Sequence, residues 1–162
     1  VPRRPHLSRV ALLLPLTVLV AACGGPVEVE VPRLSAADRA ACEDFAADLP
    51  GTLADEKRVE IDPDDAPAAA YGDPAIVVRC GVATPKGFDL AASCESANGV
   101  GYYIPEEQYD DQDLDLTVTA AGYRPRVEVT IPARYRPNAG PAAMAVLATP
   151  IKEHLTLVDD CD

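Results

Sequence analysis

The residue types able to do chemistry in this 162-residue chain are few and scattered. His154 is the one imidazole outside the first 22 residues, because His6 lies in an N-terminal leader. Ser93 and Ser96 flank Cys94, so a hydrolase using either serine with His154 is a formal alternative. No Gly-x-Ser-x-Gly elbow supports it. Asn98-Gly99-Val100-Gly101 carries glycines at dinucleotide-fingerprint spacing, but Tyr102, Tyr103 and Ile104 follow where a third glycine and a helix should begin. It reads as a turn entering a strand. Glu106, Glu107, Asp110, Asp111, Asp113 and Asp115 crowd the stretch 106–115. Asp111, Asp113 and Asp115 mimic the first ligands of a calcium loop, yet Leu116 takes the place of the turn glycine and no glutamate closes the loop. A solvated acidic loop is the expectation, with a cation-binding module as the alternative. Arg79 stands among Val77, Val78 and Cys80 and calls for a carboxylate on a neighbouring strand, Glu128 or Asp115. With Tyr102 and Tyr103 it makes a candidate binding face.

Four cysteines, Cys42, Cys80, Cys94 and Cys161, form an even set that an oxidising compartment would pair. Three connectivities are open. The expected one is Cys80–Cys94, closing a local loop, with Cys42–Cys161 pinning a helix to the C-terminus. A zinc site lacks the close cysteine pairs it usually has. No metal and no cofactor is expected.

The fifth cysteine has different surroundings. Arg3, Arg4 and Arg9 precede the apolar run 10–22, which would rise only about 20 Å as a helix against a hydrocarbon core of about 30 Å. Such a run reads as a secretory leader rather than a membrane span. Leu19-Val20-Ala21-Ala22 then lead directly into Cys23-Gly24-Gly25. That arrangement resembles the bacterial lipobox, in which the cysteine thiol is diacylated, commonly with palmitate, and becomes the new N-terminus. Two acyl chains suffice for stable anchoring. The expected organisation is a signal peptide over 1–22, a lipidated Cys23 and tether over 23–34, and one domain over 35–162. Within the tether, Val27, Val29 and Val31 alternate with Glu28 and Glu30, which suits either a short edge strand or a spacer.

Composition bounds the rest. Apolar residues make up 48% and charged ones 25%, which excludes wholesale disorder. Without the three leader arginines the net charge is −15, a surface that repels phosphate backbones and excludes nucleic acid.

The elements that must position these residues follow from periodicity. Ser35 opens a helix with Asp38 in capping position; Ala41, Phe45 and Leu49 form its stripe, Cys42 lies beside it, and Pro50-Gly51 ends it. The proline- and alanine-rich stretch 62–70 reads as a loop. Strands are expected over 75–82, 100–104, 113–120 and 126–131, the last two joined as a hairpin by 122–125. Ile76, Val78, Cys80 and Val82 share one face of the first. Pro141 is expected to open a final helix carrying Met144, Leu147, Ile151 and Leu155, with Pro150 kinking or restarting it. The fold class is α+β: a roughly four-stranded antiparallel sheet with an N-terminal and a C-terminal helix on one face.

Taken together, Cys23, the helix bearing Cys42, Tyr71-Gly-Asp-Pro-Ala-Ile-Val-Val-Arg-Cys-Gly81, Asn98-Gly-Val-Gly-Tyr-Tyr103 and Val127-Glu-Val-Thr-Ile-Pro132 carry a resemblance. The chain resembles the actinobacterial lipoproteins built on domain of unknown function 3515. In that family the Tyr71 and Tyr103 positions often hold tryptophan, so aromatic character is kept here. The resemblance assigns no activity and no catalytic residue. It implies a place in the cell envelope, on the outer face of the plasma membrane. The expected function is a non-enzymatic, lipid-anchored domain that binds an envelope protein or a cell-wall-related ligand.

Overall fold

A computed structural model describes residues 24–89 and 92–161. Cys23 and the leader expected over 1–22 lie outside the described residues. In chain order the elements are β1 (Val27–Glu28), α1 (Ala36–Ala47), β2 (Thr52–Leu53), β3 (Glu56–Val59), β4 (Ile61–Asp62) and β5 (Ala68–Tyr71). Next come β6 (Ile76–Val82), β7 (Cys94–Ala97), β8 (Val100–Tyr103), α2 (Glu107–Asp110), β9 (Leu116–Ala120) and β10 (Tyr123–Arg124). The chain closes with β11 (Arg126–Ile131), α3 (Arg136–His154) and β12 (Thr156–Leu157).

Alternation of apolar and polar residues builds an antiparallel sheet of eight strands, ordered β2-β3-β5-β6-β11-β9-β8-β7. The four expected strands are its contiguous middle, β6-β11-β9-β8. The fold is therefore α+β with an antiparallel sheet as expected, but the sheet is wider than four strands. Two of the additions have clear local causes. β5 is three alanines and a tyrosine, all buried, so its small side chains let other elements pack on both of its faces. It lies where a loop was expected. β7 pairs with β8 through Asn98-Gly99, both at positive φ, the turn that joins twisted antiparallel strands most directly.

One sheet face carries the main core. Phe45 from α1, Leu49 just after it, and Leu147 and Ile151 from α3 pack there against Val78, Val118, Val129 and Tyr102. The two long helices thus cover one face, as the pattern required. Ser35 Oγ accepts from the Asp38 amide at 3.1 Å, capping α1. α3 begins at Arg136, five residues before the expected Pro141, and runs unbroken through Pro150 to His154. Pro137 falls in its first turn, where a missing donor costs nothing. Ala148, Pro150 and Ile151 are buried, and that packing keeps the helix going where propensity alone would end it.

The opposite face holds a smaller cluster in which Val29 packs with Ala66 and Ala68, beside Val27, Ile61 and Val77. β1 runs parallel to β4, with Val27 opposite Ile61. Of the two readings of this segment, the strand reading holds for Val27–Glu28.

The disulfides correct the expected pairing. Cys42 is bonded to Cys80 and Cys94 to Cys161, with Cα separations of 5.4 and 5.7 Å. Cys80 faces the core from β6 and meets Cys42 on the buried side of α1. Cys94 looks to the other face, where the C-terminal segment passes. Cys80–Cys94 and Cys42–Cys161 would each join opposite faces of the sheet.

Candidate functional site

Arg79 lies on β6 directly opposite Glu128 of β11, and its guanidinium donates to that carboxylate. Glu30 lies 3.8 Å from it on the other side. The expected choice between Glu128 and Asp115 thus resolves to Glu128. Register extends the row across the sheet: Glu128 faces Thr119, and Thr119 faces Tyr103. Arg79 and Tyr103 therefore share a face. Tyr102 does not, because adjacent residues of a strand point to opposite sides. Its ring is fully buried under α3 and its hydroxyl donates to the Met144 carbonyl at 2.9 Å. Tyr103 is itself covered, donating to the Lys86 carbonyl at 3.3 Å, with Phe88 edge-on to its ring. The candidate face of Arg79, Tyr102 and Tyr103 does not form.

His154 sits at the end of α3 with its Nε2 3.0 Å from Asp48 Oδ2. Neither Ser93 nor Ser96 is hydrogen-bonded to it among the described residues, and the concavities that Ser96 and Ser93 line do not include it. The pairing needed for the hydrolase alternative is not assembled. The acidic stretch 106–115 also departs from a metal loop. Arg136, 7% exposed, reaches into it and donates to the carbonyls of Asp111 at 2.6 Å, Leu114 at 2.8 Å and Gln108. Asp111 accepts from the Asp113 amide and Asp115 from the Ala133 amide. The loop is organised around an internal guanidinium, which nothing in the local sequence announces.

A groove of about 650 Å³ lies elsewhere, between the C-terminal half of α1 and the β3–β5 region. Its floor is small and apolar, with Ala46 from α1, Ile61 from β4, Ala66 and Ala68, and the exposed Ala47 stands at its edge. Its rim carries Glu43, Glu60, Asp64 and Asp65. Arg58 is the cation of the groove, and it is committed to the end of α1, donating to the carbonyls of Leu49 at 3.3 Å and Ala46 at 3.5 Å. α1 has no basic residue in its own last turn, so Arg58 supplies the charge that its C-terminus favours. Beside it, Tyr71 donates to the Pro50 carbonyl at 2.9 Å, and burial raises its phenol above the usual value against the opposing pull of Arg58. Pro26, immediately before β1, also lines the groove. Small alanines gave the sequence no signal for this site, since neither their type nor their spacing implies chemistry.

No helix among the described residues is long and apolar enough to cross a membrane. Comparison with known proteins finds no curated protein and no solved structure that matches. A family model does match, over residues 9–159. The chain belongs to DUF3515, a family of proteins of unknown function.

Proposed function

We propose that the protein is a non-enzymatic binding domain of the cell envelope, anchored to the extracytoplasmic face of the plasma membrane through a lipidated Cys23. The observation that carries this reading is the docking of β1 onto β4. If Cys23 holds the acyl chains, only residues 24–26 separate the lipid from the folded domain, and three residues span at most about 10 Å. The domain is then held close to the bilayer, and because Pro26 lines the groove, the groove opens beside the anchor. An apolar floor under four carboxylates suits a cationic segment of an envelope partner, with lysine or arginine at the rim and a small apolar residue beneath. The arrangement supports binding, since it offers shape and charge without an activated nucleophile.

A photoreactive residue at Val59, 37% exposed beside the groove, tests the reading against one at Val146, 43% exposed on α3. In intact cells the Val59 probe is expected to give a discrete adduct that weakens severalfold with Asp64→Lys and Asp65→Lys. Adducts of equal intensity from both positions, or none from Val59, would overturn it.

A further inference from the structure

We infer a divalent-metal site where α1 and α3 end side by side, with Asp48, Glu153 and His154 as protein ligands and Zn²⁺ as the ion their chemistry suits. One ligand atom from each of the three residues lies within 4.8 Å of the other two. Donors bound to zinc at about 2.0–2.2 Å stand about 3.3 Å apart in a tetrahedron, so modest rotation of two exposed carboxylates closes the set. The backbone positions are fixed from both sides. α1 packs on α3 and is tied to β6 through Cys42–Cys80.

Three features distinguish this corner from an ordinary acidic surface. The first is the imidazole, which turns Nε2 toward Asp48 at 3.0 Å; its neutral form is a metal ligand of the borderline class that zinc prefers. The second is position. Asp48 caps the C-terminus of α1 and His154 is the last residue of α3, so the three ligands stand where two helices end, and the negative end of α3 favours a cation. The third is that the carboxylates are not taken up by a basic side chain. Neither Asp48 nor Glu153 is ion-paired with lysine or arginine among the described residues. Lys152, the nearest cation in sequence, donates to the Asn98 carbonyl instead, and Arg58 is committed to the carbonyls of Ala46 and Leu49. One imidazole and two carboxylates are too few oxygens for calcium, which takes six to eight. They leave a fourth zinc position for water. The site is independent of the groove and of the lipid anchor.

Calorimetric titration of the chelator-treated mature protein with Zn²⁺, disulfides intact, tests the inference. One ion per chain is expected, with affinity reduced at least tenfold in His154→Ala and in Asp48→Asn and unchanged in Glu106→Gln, which alters the acidic loop only. Circular dichroism checks that the variants fold. Should His154→Ala not fold, Co²⁺ bound to the unaltered protein decides: intense visible bands of a four-coordinate nitrogen–oxygen site support the assignment. A weak spectrum like that of the aqueous ion, an absence of binding, or binding unchanged by His154→Ala would overturn it.

Discussion

The guanidinium of Arg136 gives the acidic loop what a bound cation would give it, a positive centre to which backbone carbonyls can turn. Three carbonyls converge on it from residues 108, 111 and 114. Replacing it with an apolar side chain of similar length removes charge-assisted bonds worth about 1.5–3 kcal/mol each before losses to water. Arg136→Met is therefore expected to lower stability by about 2–3 kcal/mol. Hydrogen exchange should quicken over 108–114 while the sheet stays protected; unchanged exchange in that loop would mean the arginine does not organise it. The buried tyrosines set a different dependence. Burial raises the phenols of Tyr71 and Tyr102 above 10.0, and for Tyr102 the nearby Tyr123 adds to the shift. A native state that holds its protons more tightly than the unfolded chain keeps that advantage below the unfolded value and loses it as pH rises past it. Stability should thus be level near neutral pH with respect to these groups and decline above about pH 10. Tyr102→Phe should flatten the decline in urea midpoints measured from pH 8 to 11.5, at a cost of about 1 kcal/mol at neutral pH from the lost bond to Met144.

Elements differ in how plainly their residues announce them. β9 and β11 alternate strictly, β6 buries every second residue from Ile76 to Cys80, and the sheet places the three as antiparallel neighbours. Helix α1 was legible to its cap. β5 was not, because alanine has low strand propensity and Pro63 and Pro67 sit in or near it; only packing on both faces makes it a strand. β7 carries Glu95 and Ser96 in an exposed edge position and shows no apolar stripe. The errors at the candidate face and the disulfides have one cause. Tyr102 and Tyr103 are adjacent in a strand and must part, while Cys80 and the inner side of α1 must meet; two-residue periodicity decides both, whereas short loop length decides neither. A close approach between elements gives a further test. A Cβ on Gly101 would strike the Cys161 carbonyl, so the C-terminal segment can lie against β8 only if that position is glycine. Gly101→Ala is expected to cost about 1–3 kcal/mol and to loosen residues 156–161, read as increased trimming by carboxypeptidase. Resistance equal to that of the unaltered protein would argue against that close packing.

At the scale of the molecule, two disulfides and one lipid would define how the domain is built and where it is held. The bonds close intervals of 38 and 67 residues, each worth about 4 kcal/mol in the loop-entropy description. Non-reducing peptide maps should join Cys42 to Cys80 and Cys94 to Cys161, with no free thiol among the four; a peptide joining Cys80 to Cys94 would contradict the fold. The net charge of residues 23–162 is −15, so under the proposed reading a membrane-held domain would depend on acylation rather than on attraction to anionic lipid. The most direct measurement is the mass of the N-terminal peptide of protein extracted from membranes. A first residue at Cys23 carrying diacylglycerol through its thiol is the predicted result. An unmodified Cys23, or a peptide that still contains residues from 1–22, would contradict the anchored-domain reading.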